Sequence, residues 1–463
     1  MLCRWKLINA ANLFLLTASI LFYAYWDPKY LYLIIGSIII NYIFGTALFR
    51  SSKSRKMSRK TILTLGIILN VLALGYYKYA GFFVSSVDAA FDLNWTIPHI
   101  VLPLGISFFT FTQIAYLVDC YKGETKEFDF VRYSFFVFFF PHLIAGPIVH
   151  HTQIIPPFGE IKNKSINDQN VAIGLMYFAV GLFKKVVIAD QISPWVNIAY
   201  SHTESLRFIE AWLGSLAYTL QLYFDFSGYS DMAVGLALLF NIRMAQNFLS
   251  PYKSLDIQEF WRRWHVTLSS WLRDYIYIPL GGNRKGPSRT LVNLFLTFFL
   301  GGIWHGAGWT FVVWGAMHGA GVMLHRLYSQ LGFKLNKVLA WTCTFIFVHF
   351  AWVFFRAPNL ESALSVCRSL MGLNGITLPD RLRAHVPENS FFHFGAWLEG
   401  VGGDSKILWV LPLCLLLCLL GKNSTELEQK FRANPRWIFI VVILFVISFL
   451  HLNRESEFLY FQF

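Results

Sequence analysis

Charge is what this chain has least of. Only 14% of its 463 residues are Asp, Glu, Lys or Arg, where a soluble protein carries about a quarter. With 56% hydrophobic residues, that scarcity excludes an ordinary soluble domain and points to an integral membrane protein. Several signatures are also missing. No CxxC pair occurs among Cys3, Cys120, Cys343, Cys367, Cys414 and Cys418, so thiolate zinc centres and dithiol redox chemistry are not expected. Cys414 and Cys418 share one face of a wholly apolar segment and read as packing thiols. No GxSxG frame surrounds Ser227, which argues against a serine nucleophile there. No internal repeat and no low-complexity segment stands out. The apolar stretch near 7–25 ends at Asp27-Pro28 without a small-residue cleavage pattern, so it is expected to be a span and not a removed signal.

Acidic residues are the scarcer sign, 26 against 39 basic, a net +13. Nucleic acid is not the expected partner, because the bases sit in short loops between apolar runs. Membrane topology and anionic lipid account for them better. What the chain does have is aromatic bulk, 46 Phe and 16 Trp, which suits lipid contact and interfacial anchoring.

At about 20 apolar residues per crossing, candidate spans fall near 7–25, 30–49, 61–84, 101–118, 131–149, 171–192, 208–224, 229–248, 291–304, 309–327, 338–355, 407–421 and 436–452. Several are too short to cross alone and suit re-entrant or tilted pieces. The expected fold is all-α and polytopic, with about ten to twelve crossings plus interfacial helices. One membrane domain is expected over 1–463: N-terminal spans to 100, a core over 101–356, an extramembrane loop over 357–405, and C-terminal spans from 406. In that loop Leu360, Leu364, Cys367 and Leu370–Met371 recur at helical spacing and predict a short amphipathic helix. The stretch 50–60 holds six bases and no acid and is predicted to be cytoplasmic, as is the N-terminus with Arg4 and Lys6. The segment 85–99, with Asp88 and Asp92, is then predicted to lie outside.

Against this background His305 stands out. It lies inside a long apolar stretch, 291–323, in the run LGGIWHGAGW. An ionisable group at that depth is expensive and usually marks a pathway or reaction centre; the plain alternative is a core histidine bonded to a backbone carbonyl. The segment 254–279 is a second signal. Asp256 with Glu259 predicts a capped helix start. At 100° per residue Trp261, Trp264, His265, Leu268, Trp271, Leu272 and Tyr275 share one side. Glu259, Arg262, Arg263, Ser270, Arg273 and Asp274 share the other. An interfacial anchor helix would look the same, except that it needs no imidazole at His265.

Pro279 ends that helix, and a loop over 281–289 carries Arg284, Lys285 and Arg289 without an acid. Positive-inside bias would produce such a loop. So would attraction of a phosphate-bearing donor such as coenzyme A. It lacks a Walker spacing, which excludes a nucleotide-hydrolysis site. Asp225 and Asp231 lie six residues apart and face different sides of a helix; ion pairing with Arg262, Arg263 or Arg273 suits them better than joint acid–base work. His150 and His151 are adjacent, point apart, and have no further ligand nearby, so no metal site is expected. His318 either lines the same cavity as His305 or packs in the core.

Three stretches together resemble the membrane-bound O-acyltransferases, in particular the bacterial AlgI-like polysaccharide O-acetyltransferase branch: YFDFSGYSDMAVGL at 223–236, EFWRRWHVTLSSWLRDYIYIPLGGNRK at 259–285 and GGIWHGAGWTFVVWGAMHGA at 301–320. LPLGISFFTFT at 102–112, FPHLIAGPIV at 140–149, VFFRA at 353–357 and the ending FLYFQF are similar too. The likeness covers most of the chain. It implies a ring of transmembrane helices around a thin core, with a funnel on each face and a catalytic histidine where they meet. The histidine of the Trp-His-Gly motif corresponds to His305, and a second polar position upstream to His265. One departure is His150-His151, where the family pattern suggests a basic-aromatic pair.

The resemblance implies acetyl transfer from a cytoplasmic thioester, acetyl-CoA or an acyl-carrier thioester, with no bound cofactor. The acceptor would be a hydroxyl of an exopolysaccharide, alginate- or cellulose-like, or of a periplasmic partner such as an SGNH-like acetyltransferase. The protein would then sit in a bacterial inner membrane beside polysaccharide assembly proteins. Chemically, a hydroxyl attacks a thioester well only if its proton leaves as the bond forms, and a neutral imidazole at His305 suits that task. His265, the Trp304 indole or a backbone N–H near Gly306 are the candidate oxyanion donors. Trp261, Trp264, Asn283 and His318 are candidate supporting or tunnel residues; Arg284, Lys285 and Arg289 are candidate donor-phosphate contacts. Two rivals stay open: transfer of D-alanine or another acyl group to teichoic acid or peptidoglycan, and a non-catalytic polysaccharide or lipid transporter.

Overall fold

A computed structural model describes residues 8–50, 58–96, 100–125, 129–387, 389, 391–453 and 459. Most of the basic 50–60 stretch, together with Cys3, Arg4 and Lys6, lies outside the described residues. In chain order the α-helices are α1 (Ile8–Trp26), α2 (Leu31–Arg50), α3 (Arg59–Leu74), α4 (Ala80–Phe91), α5 (Ile106–Lys122), α6 (Phe130–Phe138), α7 (Phe140–Leu143), α8 (His151–Gly159), α9 (Asp168–Leu182), α10 (Asp190–Ser201), α11 (Phe208–Leu239), α12 (Ile257–Arg263), α13 (Val266–Leu272), α14 (Pro287–His305), α15 (Trp309–Gln330), α16 (Lys337–Arg356), α17 (Leu360–Leu370), α18 (Ile407–Leu420), α19 (Ser424–Lys430) and α20 (Pro435–Leu450). Two four-residue strands, β1 (Ile376–Pro379) and β2 (Phe392–Gly395), pair in parallel. The protein is an all-α polytopic membrane protein.

By length and composition alone, four described helical stretches are able to cross a membrane: Pro28–Arg50, Arg59–Phe91, Asp168–Ser201 and Lys337–Arg356. A fifth is added if α18 and α19, bent by 58°, form one span. The sequence-based count of ten to twelve is larger because it includes segments whose apolarity is diluted or whose helix is broken. The helices α14 and α15, of 19 and 22 residues, are long enough but carry Asn, Thr, Gly, Trp and His. The expected span at 131–149 is not one helix. It breaks at Phe139 into α6 and α7, where Pro141 supplies no N–H to continue the ladder. Conversely, 208–224 and the first half of 229–248 are joined in α11, which runs unbroken for 32 residues to Leu239, and the rest of the second expected span is irregular.

The chain packs as two compact units, residues 1–178 with 230–246, and residues 179–229 with 247–463. In the first unit α5 lies against α2 and α3 where glycines replace side chains. Gly45 faces the Tyr116 ring and Gly66 faces Leu117. Asn41 and Asn70 exchange side-chain hydrogen bonds at 2.7 and 3.1 Å, which satisfies two amides inside apolar helices.

The second unit carries a core rich in Trp, Tyr and Phe. Within it α14 and α15 form a tightly packed hairpin. An added Cβ at Gly302 would stand 2.5 Å from the Gly315 Cα, and one at Gly319 would stand 2.9 Å from the Phe295 carbonyl oxygen. Only glycine allows this approach of two backbones. In the segment 357–405 the predicted helix is present as α17, but its buried face is Ala363, Val366, Cys367 and Leu370. Leu364 is exposed; the stripe read from Leu360 and Leu364 was rotated by about one residue.

Candidate active site

The segment from Ser254 starts as expected: Asp256 accepts the Glu259 N–H at 2.7 Å and caps α12. It does not continue as one helix to Pro279. The chain leaves helical geometry at Trp264, which is extended, and His265, which is left-handed at φ 42°, ψ 54°. The cause lies outside the segment. The Val266 N–H donates to the Asn247 carbonyl at 3.0 Å, and the Leu249 N–H donates to the Arg263 carbonyl at 2.9 Å. These bonds replace helical ones and hold the break.

His265 is fully buried. Its Nδ1 lies 3.3 Å from Asn247 Oδ1, which also accepts from the Thr267 hydroxyl at 2.6 Å. An amide oxygen only accepts, so Nδ1 of His265 carries the proton and the lone pair resides on Nε2. The Phe226 ring stands edge-on at 4.8 Å.

His305 is the last residue of α14, next to the extended Gly306 that opens the turn into α15. It is 7% exposed. Its ring meets Trp304 at 4.9 Å, Trp314 at 5.0 Å and Phe355 at 5.2 Å. A side chain at Gly306 would collide with the Phe311 ring. Trp314 is one helical turn before His318 and meets it at 4.6 Å, so one indole touches both histidines. His318 accepts the Trp261 indole N–H at Nδ1, 3.2 Å away. His305, Trp304, Trp314, His318 and Trp261 thus form one chain of touching rings. Trp264 joins the same cluster through Trp352, 4.8 Å from it and 5.8 Å from Trp314. His265 reaches the same cluster less directly, through Phe226 and then Phe248, whose ring meets Trp264 at 5.0 Å.

The basic loop is built by Gly281 and Gly282, both at positive φ, and tied down by the Asn293 amide donating to the Gly282 carbonyl at 2.9 Å. Asn283, Arg284 and Lys285 are exposed on it, and Arg289 is exposed in the first turn of α14, so Asn283 stands apart from the ring cluster. The ion pairing expected for Asp225 is corrected: its partner is Lys185, at 2.7 Å, and not an arginine of 262–273. Lys185 also holds Asp190 at 2.7 Å. Arg263 pairs with Glu259 and Arg273 with Asp274. His151, in the first unit, stands between Asp119 and Thr125, 3.2 Å from each. Among the described residues no group of three or more His, Cys, Asp or Glu could hold a metal ion.

Residues 124–366 match the membrane-bound O-acyltransferase family. The chain is 42% identical to a peptidoglycan O-acetyltransferase of Helicobacter pylori over 98% of its own length and 91% of the relative. The chain belongs to the membrane-bound O-acyltransferase family. It is also 38% identical to a probable alginate O-acetylase AlgI of Pseudomonas putida, over 98% of this chain and 94% of that one. A teichoic acid D-alanyltransferase of Bacillus subtilis is more distant, 28% identical over 56% of this chain and 70% of the relative. The protein is therefore a membrane O-acetyltransferase of this family, and the transporter reading of the sequence is set aside.

Three residues at the site were not singled out from the sequence. Trp314 and Phe355 were legible in principle, one as the i−4 neighbour of His318 and the other inside the VFFRA stretch. Asn247 was not, because it sits in irregular chain 18 residues upstream of His265.

Proposed function

We propose that this acyltransferase moves acetyl from a thioester presented at the cytoplasmic face, acetyl-CoA or an acyl-carrier thioester, to a hydroxyl on the opposite face of a bacterial inner membrane, with His305 as general base. The observation that carries this is an imidazole at the end of a helix, almost wholly enclosed by Trp304, Trp314 and Phe355. Such a setting keeps water away from a reactive thioester. His305 takes the acceptor hydroxyl's proton as the oxygen attacks the thioester carbonyl. The tetrahedral intermediate collapses, the C–S bond breaks, and the proton passes from the imidazolium to the departing thiolate. The ester and a free thiol result. The Trp304 indole N–H and a backbone N–H near Gly306 serve as the candidate donors for the oxyanion. His265, whose Nδ1–H is committed to Asn247, serves as a second polar group for the acceptor hydroxyl. The exposed Arg284, Lys285 and Arg289 attract the donor's phosphates.

The acceptor is a cell-envelope glycan, peptidoglycan or an alginate-like polymer, reached directly or through a periplasmic SGNH-like acetyltransferase that carries the acetyl onward. Acetyl is favoured over D-alanyl because the O-acetyl relatives align over nearly the whole chain and the D-alanyl relative over about half. The test is His305→Ala and His305→Gln in the intact protein. Each should assemble and melt like wild type yet reduce base-released acetate on the envelope glycans by at least about 100-fold. A well-folded variant that leaves acetate at the wild-type level overturns the assignment. Alanine in place of acetate on the polymer overturns the choice of acyl group.

A further inference from the structure

An open groove of about 680 Å³ runs along the second unit between the C-terminal half of α15 and the first half of α16. Its walls are apolar, with Leu324, Phe333, Leu335, Ala340 and Phe347 on the lining. Lys334 and Lys337 stand on the same lining and are exposed. Among the described residues neither lysine has a carboxylate partner. The one acid on the lining, Asp256, is engaged by the Glu259 N–H at 2.7 Å and lies 3.6 Å from His325. The groove therefore pairs a greasy floor with a basic mouth.

Its depth fits one kind of occupant. Lys337 is the first residue of a helix long and apolar enough to span a membrane, which sets it at the water boundary. Phe347 lies ten residues further in, about 15 Å along the helix at 1.5 Å per residue. That is half of a hydrocarbon layer of about 30 Å, the depth of one leaflet. A cavity of this size is also within the usual range for a small-molecule site, about 300–1,000 Å³. The Tyr328 hydroxyl, also on the lining, has no hydrogen-bond partner among the described residues.

We propose that this groove binds one anionic glycerophospholipid, its acyl chain lying on Leu324, Ala340 and Phe347 and its phosphate held between Lys334 and Lys337. The match is one of charge and of length: two unpaired ammonium groups at headgroup level, and an apolar trough one leaflet deep. The far end of the trough is not inert. The Phe347 ring packs edge-on against His318 at 5.5 Å, and His318 shares Trp314 with His305. A seated chain thus supports the outer wall of the ring cluster.

The experiment uses the full-length protein in neutral maltoside micelles supplemented with phosphatidylglycerol or with phosphatidylcholine. Native mass spectrometry should show one retained phosphatidylglycerol at lipid levels where phosphatidylcholine is lost. Cys343, an exposed thiol on the groove lining, should be alkylated several-fold more slowly with phosphatidylglycerol present. Lys334→Glu/Lys337→Glu should erase both differences. Ala340→Trp, which fills the trough without touching the charge, should abolish retention while leaving the melting profile intact. Equal retention of the two lipids by wild type, or wild-type retention by Ala340→Trp, overturns the proposal.

Discussion

Trp261 donates its indole N–H to Nδ1 of His318 across 3.2 Å, with His318 wholly buried. This bond fixes the imidazole tautomer, with the single ring proton on Nε2. Trp261→Phe keeps most of the ring area but leaves that Nδ1 without its donor. A cost of about 1–3 kcal/mol is expected for a buried acceptor left unsatisfied. Thermal unfolding followed by size-exclusion chromatography in detergent should show the loss. His318→Phe in the same background should add little, because the acceptor is then gone as well.

Gly302 and Gly315 set a second expectation. A methyl at Gly302 would stand 2.5 Å from the Gly315 Cα, while one at Gly308 finds its nearest neighbour at 3.6 Å. Gly302→Ala should force α14 and α15 apart and destabilise by at least about 1–3 kcal/mol, the usual range for overpacking. It should also reduce acetyl transfer by moving His305. Gly308→Ala should be close to neutral in the same melting assay.

The Lys185 cluster is asymmetric. One ammonium serves two carboxylates, Asp190 and Asp225, each at 2.7 Å. Lys185→Met leaves both acids uncompensated and should cost the most, about 3–5 kcal/mol or failure to assemble. Asp190→Asn leaves the Lys185–Asp225 pair standing and should be much milder. Yield and melting temperature of the purified variants would rank them; a smaller loss for Lys185→Met than for Asp190→Asn would overturn the hub role given to Lys185.

His265 adopts a backbone conformation that few side chains tolerate, φ 42°. Asn accepts it better than Ala. His265→Asn should therefore retain the fold more fully than His265→Ala, by about 1 kcal/mol, while both lose transfer activity. Melting curves and acetate release on the same preparations separate the backbone effect from the imidazole's.

How much of this was legible in the sequence depends on how local the cause is. His305 stood out because an ionisable group in an apolar run is conspicuous whatever surrounds it. The cap at Asp256 and the helix α17 followed from nearest-neighbour chemistry. The break at Trp264 and His265 did not, since nothing in Arg263-Trp264-His265-Val266 is a helix breaker. It is imposed by backbone partners at Asn247 and Leu249. The Lys185–Asp225 pair was missed for the same reason: forty residues separate them, and the arginines near in pattern were the more visible candidates. The split of 131–149 was overlooked because hydropathy does not register the lost N–H of Pro141. Glycine contacts across the α14–α15 hairpin were likewise invisible, as composition reveals a glycine but not what it faces.

The left-handed turn at His265 has a consequence for how that imidazole is aimed. A side chain on an unbroken helix inherits its direction from the pitch of the rod. Here the direction is set instead by two residues' torsions and by the strand-like clasp to 247–249, so the ring answers to a distant piece of chain. Small changes around Asn247 would reach the imidazole through the helix ends it clasps at Arg263 and Val266, which makes that short irregular segment the adjusting screw of the group it holds.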